Sequence, residues 1–85
     1  MPDNQIDIQV IVNGQPTPIH ANKNALLHSI IGQALALTGN AGQPPENWEL
    51  RDASGVLLPL DKKIESFNFP PNVKLFLNLK AGVGG

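Results

Sequence analysis

Two stretches of this chain alternate apolar and polar residues with the period of two that is typical of a β-strand with one buried face. The apolar positions of the first stretch are Ile6, Ile8, Val10 and Val12. Those of the second stretch are Val73, Leu75, Leu77 and Leu79. Such regular apolar faces predict two strands that lie side by side at the centre of a sheet.

A hairpin is predicted after the first of these strands. Asn13-Gly14 tolerates the two positive φ angles of a type I′ turn, so the chain is expected to reverse there. A second strand then covers residues 15–21. Pro16 and Pro18 each lack a backbone N–H, which restricts this strand to an edge of the sheet. Its inward-facing residues would be Thr17, Ile19 and Ala21.

A single helix is predicted over residues 25–38, with Asn22 or Asn24 as its N-cap. Gly39 can adopt the left-handed conformation that ends a helix. One face of this helix is apolar at the spacing i, i+3, i+4, i+7 and i+8. The residues on that face are Leu27, Ile30, Ile31, Ala34 and Leu35.

The second half of the chain predicts shorter elements. Residues 48–51 alternate as a third strand, and residues 56–58 form a brief apolar run that could pair as a short fourth strand. Residues 61–67 could form a helical turn capped by Asp61. The turn would direct two apolar side chains to the core, Ile64 and Phe67.

Together these elements predict one α+β domain. The expected architecture is a mixed sheet of four to five strands in the order 2-1-5-3, with a short fourth strand, packed on one helix. The domain is expected to cover residues 1–80. Residues 81–85 are expected to form a flexible tail, because three glycines, an alanine and a valine offer little apolar surface to pack.

Composition narrows the range of functions. The formal net charge is −1 and the six Lys and Arg residues are scattered, so no nucleic-acid partner is expected. The chain has no cysteine, which excludes disulfides, thiolate nucleophiles and Cys-based zinc sites. No segment approaches the roughly 20 apolar residues of a membrane span, and the N-terminus lacks the features of a secretory signal. We therefore expect a cytoplasmic monomer without a membrane partner.

The residues described so far resemble ubiquitin and its relatives, the β-grasp proteins. The resemblance rests on the element order, on Pro44-Pro45-Glu46 after the helix, on the strand at 73–80 and on the final Gly84-Gly85, and it spans nearly the whole chain. It implies a ubiquitin-like β-grasp fold. Within this family we expect a bacterial ubiquitin-like modifier.

The resemblance also implies a chemistry for Gly84 and Gly85. In ubiquitin-like modifiers an activating enzyme, which itself binds ATP and magnesium, adenylates the last glycine; here that is Gly85, and this chain would hold no cofactor of its own. The acyl group then passes to an enzyme cysteine and finally to an amine of a target protein. A conjugating enzyme and a deconjugating protease are further expected partners. The chain would be the substrate of these enzymes and not an enzyme itself.

A partner-binding face is implied on the outer side of the sheet. Arg51 stands where the family carries the central isoleucine of its binding patch, and Lys74 stands where a histidine is usual. Phe76 keeps the apolar character of its position, and Ile11 is expected beside it on a neighbouring strand. Isolated exposed apolar residues are common, so the alternative is that no partner uses this face.

Two lysines and two histidines are further candidates for a chemical role. Lys62 and Lys63 are possible acceptors for a second copy of the modifier, with a solvated turn as the alternative. His20 and His28 are interpreted as surface residues, because no carboxylates accompany them at the spacing of metal ligands. No metal site is expected.

Two other functions are compatible with the same residues. A sulfur carrier resembling those of thiamine and molybdopterin synthesis would share the fold and the Gly-Gly end, and it would carry sulfur as a C-terminal thiocarboxylate. A non-conjugated binding module would use the sheet face alone and would leave Gly84 and Gly85 without a chemical role.

Overall fold

The computed structural model describes residues 4–82, which form one sheet, one α-helix and two 3₁₀ turns. The strands are β1 (Gln5–Val12), β2 (Gln15–Asn22), β3 (Trp48–Arg51) and β4 (Val73–Leu79). The helix α1 is Ser29–Leu37, and the 3₁₀ turns are Pro45–Asn47 and Ile64–Phe67. Within the described residues, no helix is long and apolar enough to cross a membrane.

The sheet has the order β2-β1-β4-β3. Its two central strands, β1 and β4, are parallel, with Ile8 opposite Val73 and Val12 opposite Leu77. Each outer strand is antiparallel to its neighbour. The predicted α+β architecture and strand order are confirmed, and β4 is the fifth strand of the predicted order.

The first hairpin has the predicted geometry. Asn13 and Gly14 have φ angles of 50° and 85°, the two positive values that a type I′ turn requires. Val12 lies opposite Gln15 at the turn. The hairpin places the proline-bearing strand β2 at the edge of the sheet, as predicted.

One hydrophobic core lies between α1 and the inner face of the sheet. The helix residues Ile30, Ile31, Ala34 and Leu35 are all buried, as their spacing predicts. Every strand contributes buried residues to the same core, namely Ile6, Ile8, Val10, Val12, Ile19, Ala21, Trp48, Leu50, Leu75 and Leu77. The helix α1 covers only this face, and the residues of β1 and β4 on the opposite face are half-buried or exposed.

The helix begins at Ser29, four residues later than the periodicity predicts. An α-helix that included Ala25 would need the Ala25 carbonyl to accept a hydrogen bond from the Ser29 N–H. That carbonyl instead accepts from the Ile64 N–H at 2.9 Å, and Leu26 forms an isolated antiparallel bridge with Lys63. The Ser29 N–H donates to the Leu26 carbonyl at 3.0 Å. The segment before the helix is therefore a tight turn held by a distant part of the chain.

The predicted N-caps are wrong for related reasons. Asn22 Oδ1 accepts a hydrogen bond from the Asn24 N–H at 2.8 Å, which closes a local turn well before the helix. The N-cap position of α1 is His28, which makes no side-chain capping hydrogen bond. Asp61 does not cap the second 3₁₀ turn either, because that turn begins at Ile64 and has Lys63, two residues after Asp61, at its N-cap position.

The helix α1 is terminated by a left-handed Gly39, as predicted. Gly39 has a φ of 74° and donates its N–H to the Ala36 carbonyl at 3.4 Å. Asn40 donates its N–H to the Leu35 carbonyl at 2.8 Å. These two bonds form a Schellman motif, which satisfies carbonyls that the helix end would otherwise leave free.

In place of the predicted short fourth strand, the structure has one isolated β-bridge. Leu57 forms one isolated antiparallel bridge with Arg51, and residues 56–58 form no regular strand. Gly55, with a φ of 86°, turns the chain immediately before this bridge. Pro59 follows Leu58 and has no N–H with which to extend the pairing.

Replacing Ile31 by aspartate is expected to unfold the domain. Ile31 is fully buried, and a carboxylate there would lose its hydration without gaining a partner, at a cost on the order of 4 kcal/mol or more. Circular dichroism and the fluorescence of Trp48, the single tryptophan and a buried one, would report the unfolding. Gln33→Asp places the same charge on the exposed side of the helix and is the control. Equal thermal stability of the two variants would contradict this prediction.

Candidate functional site

The chain leaves the sheet from its centre. β4 lies between β1 and β3, and Leu79, near its end, is half-buried opposite Trp48. The next residue, Lys80, donates its N–H to the Asn47 carbonyl at 2.8 Å. Ala81 and Gly82 are exposed. The paired part of the described chain thus ends at Lys80.

Gly82 departs from the extended course that a simple tail would follow. Its φ is +84°, in the left-handed region that side chains rarely adopt. Gly84 and Gly85, the predicted conjugation residues, lie outside the described residues, as does Val83. The flexibility of residues 81–85 and the chemistry of the glycine pair therefore stay predictions.

The predicted partner-binding residues meet on the outer face of the sheet. Phe76 lies opposite Ile11 on one side and opposite Arg51 on the other. All three side chains are half-buried. Paired residues on adjacent strands project to the same face, so these three form a continuous line across the sheet.

Lys74 lies next to this line and not within it. It pairs with Gln9, two residues before the pairing of Phe76 with Ile11, and its side chain is exposed. Residues i and i+2 of a strand project to the same face, so Lys74 adds a positive charge beside the aromatic ring.

Leu57 extends the line, and sequence reasoning did not identify it as a site residue. Its bridge to Arg51 aligns the two residues across neighbouring segments, and 53% of its surface is exposed. Ile11, Phe76, Arg51 and Leu57 are called the outer-face row below. The apolar run at 56–58 after Gly55 was the available signal, but its interpretation as a short fourth strand did not assign Leu57 to either face of the sheet.

Arg51 is held in place within the outer-face row. Its Nη2 donates to Glu49 Oε2 at 2.8 Å, and its Nη1 donates to the Gly55 carbonyl at 2.9 Å. The guanidinium is thus fixed by both a charge and a carbonyl dipole. An open groove of about 300 Å³ lies beside it, lined by Arg51, Asp52, Ala53, Gly55, Phe76 and Asn78.

The loop that carries Gly55 is ordered by Asp52. Asp52 Oδ1 accepts hydrogen bonds from the Ser54 N–H at 2.9 Å and from the Val56 N–H at 3.0 Å. The Asp52 N–H donates in turn to the Val56 carbonyl at 3.0 Å. These bonds position both the carbonyl that holds Arg51 and the segment that presents Leu57.

The two histidines and the two candidate acceptor lysines are exposed, as predicted. His20 Nδ1 lies 2.7 Å from Asp7 Oδ1, a pairing across β1 and β2 that the sequence spacing did not indicate. Lys62 and Lys63 belong to the segment that pairs with the turn before α1, so their backbone is fixed while their side chains are accessible. Residues 4–82 contain no cluster of three or more metal-ligating side chains.

Comparisons with known proteins identify a family and a fold. A family model described as "Protein of Unknown function (DUF2604)" matches residues 1–85. "Uncharacterized protein y4jI" of Sinorhizobium fredii (strain NBRC 101917 / NGR234) is 53% identical over 81 residues, which cover 95% of this chain. The matched region spans 62% of that protein, so the relative is the longer of the two.

Two solved structures have the same fold. A designed protein based on ubiquitin superimposes with a TM-score of 0.78 at 19% identity, covering 99% of each chain. The ubiquitin of Caldiarchaeum subterraneum superimposes with a TM-score of 0.75 at 21% identity, covering 95% of this chain and 99% of its own. This chain therefore has a ubiquitin-like β-grasp fold, and the similarity at these identities concerns the fold alone.

Replacing Asp52 by alanine is expected to loosen the loop beside Arg51. The Ser54 and Val56 amides would lose their acceptor, so their hydrogen exchange should accelerate on the order of tenfold while the core amides stay unchanged. Asp61→Ala, at an exposed aspartate outside this loop, is the control. Unchanged exchange at Ser54 and Val56 would show that Asp52 does not order the loop.

Proposed function

Since this chain belongs to the DUF2604 family, whose description assigns no activity, we propose its function from the chain itself: a ubiquitin-like protein modifier. In this proposal an ATP-dependent enzyme activates Gly85, and the acyl group is transferred to amines of target proteins. The observation that carries the proposal is the end of the fold. The central strand β4 is paired through Lys80, and the chain then continues through exposed Ala81 and Gly82 toward two glycines.

Two physical features favour residues 81–85 as an acyl donor. A narrow enzyme channel can admit only a slim segment, and four of residues 81–85 are glycine or alanine, the residues with the smallest side chains. Six residues counted from Lys80 span about 20 Å when extended, so the terminus can reach a reaction centre while the folded body stays outside. The chain supplies the carboxylate, and the partner supplies ATP, magnesium and the cysteine.

The proposed reaction sequence conserves its atoms. The Gly85 carboxylate attacks the α-phosphate of ATP, forming an acyl adenylate and releasing pyrophosphate. A cysteine thiolate of the partner then displaces AMP to give a thioester, and an amine displaces the thiolate to give an amide. The modifier itself provides no acid, base or nucleophile in these steps, so it acts as a substrate.

The outer-face row is the proposed docking surface for the activating enzyme and later partners. It presents three apolar side chains around a fixed guanidinium, with Lys74 alongside. An apolar patch that contains a fixed Arg51–Glu49 ion pair fits a partner surface of complementary shape and polarity. Since Arg51 occupies the centre, we propose dedicated partners.

Intact-mass measurement tests the proposal against the sulfur carrier and the binding module. The curated relative is longer than this chain, so the mature protein isolated from its host must first be shown to end at Gly85. Incubation with a cognate activating enzyme and ATP should then attach the chain to protein amines with loss of water. A gain of about 16 Da, from exchange of oxygen for sulfur, would establish the sulfur carrier instead. If a chain that ends at Gly85 shows neither change in mass, the result would support the non-conjugated binding module.

Deletion of Gly84 and Gly85 is expected to abolish adduct formation without changing the fold. The deletion removes the slim end of the chain and leaves a valine carboxylate, which is bulkier and too short to reach the same centre. Pyrophosphate exchange and adducts should fall to background, while the melting curve stays that of the wild type. Ala81→Ser, a small change in the same segment, is the control and should keep full activity. Adducts formed by the deletion variant would refute the proposed role of the glycines.

Truncation of Leu57 is expected to weaken docking on the activating enzyme. Leu57→Ala removes an exposed apolar side chain of the outer-face row, so the KM for the modifier should rise about tenfold with kcat nearly unchanged. Leu37→Ala is the matched control, because Leu37 is at least as exposed as Leu57 but lies on the helix, on the other side of the sheet. Equal effects of the two substitutions would exclude a specific role for this face.

A further inference from the structure

The strand β2 has a free edge, and the inference drawn from it does not depend on the proposed function. β2 pairs with β1 on one side only, and it lies at the end of the strand order. It has eight residues, twice as many as β3 at the opposite edge. A strand edge of this length exposes backbone N–H and C=O groups to which another chain could pair.

The direction of the backbone groups along β2 follows from the neighbouring hydrogen bonds. The Asp7 carbonyl accepts from the Asn72 N–H at 2.8 Å, and the Asn13 N–H donates to the Leu77 carbonyl at 3.2 Å, so odd-numbered residues of β1 bond toward β4. Consecutive strand residues bond to opposite sides, and the even-numbered residues of β1 therefore bond toward β2. The bond from the Lys23 N–H to the Asn4 carbonyl at 2.6 Å agrees with this pattern, because the even-numbered Asn4 bonds toward the chain that follows β2.

This alternation directs both prolines to the free edge. The even-numbered residues of β1 lie opposite Gln15, Thr17, Ile19 and Ala21, so those residues bond toward β1. Pro16 and Pro18 lie opposite Ile11 and Gln9, in the alternate pairs, and their backbone groups point away from the sheet. Proline has no N–H, so the edge offers carbonyl acceptors at both positions but no donor at either.

The opposite edge of the sheet is protected in another way. The Leu58 N–H donates to the Leu50 carbonyl at 2.9 Å, and the Asp52 N–H donates to the Val56 carbonyl at 3.0 Å. The loop after β3 thus occupies part of that edge. The β2 edge has no such cover in the described residues, and the exposed residues of β2 are Gln15, Pro16, Pro18, His20 and Asn22.

We propose that Pro16 and Pro18 block the β2 edge against strand addition by a second copy of this chain. A second copy is the occupant to be excluded, because two identical β2 edges could pair antiparallel about a twofold axis and satisfy each other. In such a dimer, the two prolines of each copy would supply no N–H groups. Two backbone carbonyls of the partner would then be removed from water without a hydrogen-bond donor. The block keeps the chain monomeric while leaving the sheet face and the C-terminal segment free.

The test restores the two missing donors. Pro16→Thr with Pro18→Thr places a residue that favours strands at each position, and both sites are exposed. The matched control is Pro44→Thr with Pro70→Thr, which makes the same change in composition at exposed prolines outside the strands. Sedimentation velocity over a wide range of protein concentration measures the association of each variant and of the wild type.

The edge variant is expected to dimerise with an association constant at least about tenfold above that of the wild type and the control. In the dimer, the new amides at positions 16 and 18 should be protected from hydrogen exchange. An edge variant that is folded but as monomeric as the control would overturn the proposal, as would a dimer in which those amides exchange freely. If the double variant does not fold, Pro16→Thr and Pro18→Thr are measured singly under the same criteria.

Discussion

The parallel pairing of β1 with β4 is the interaction on which the rest of the structure depends. It continues beyond the regular register at both ends, through the bond of Asn72 to Asp7 and the bond of Asn13 to Leu77. Because side chains alternate along a strand, one register fixes both faces of the sheet at once. A slip by one residue would turn Lys74 and Phe76 into the core and expose the leucines of β4. The core and the outer-face row are therefore two consequences of the same pairing.

The parts of the fold that follow from local sequence could be predicted. The alternation of the strands, the positive φ angles at Asn13 and Gly14 and the helix end at Gly39 each depend on a few neighbouring residues. The failures occurred where distant segments meet. The Ala25 carbonyl bonds to Ile64, almost forty positions away, and no local preference reveals that this contact delays the helix.

The residues of the candidate site also differ in whether neighbouring residues in the sequence could predict them. Ile11 and Phe76 could be assigned to one face by counting along two strands, because the period of two is strict. Leu57 could not, since its exposure depends on a single bridge to Arg51 and on the loop that Asp52 orders. Apolar composition alone does not distinguish a core residue from an exposed docking residue. Gly84 and Gly85 were assigned from the resemblance and lie outside the described residues.

The position of the C-terminal segment matters for the proposed acyl transfer because of entropy. Ordering a free residue costs about 1–2 kcal/mol, so a partner that had to straighten a long loose end would lose much of its binding energy. Here β4 is paired on both sides, and the bond from the Lys80 N–H to the Asn47 carbonyl extends that order one residue beyond the strand. A partner docked on the outer-face row would therefore find the start of the segment already fixed. In the proposed reaction, binding of the folded body would therefore also bring the C-terminal segment toward the reaction centre of the partner.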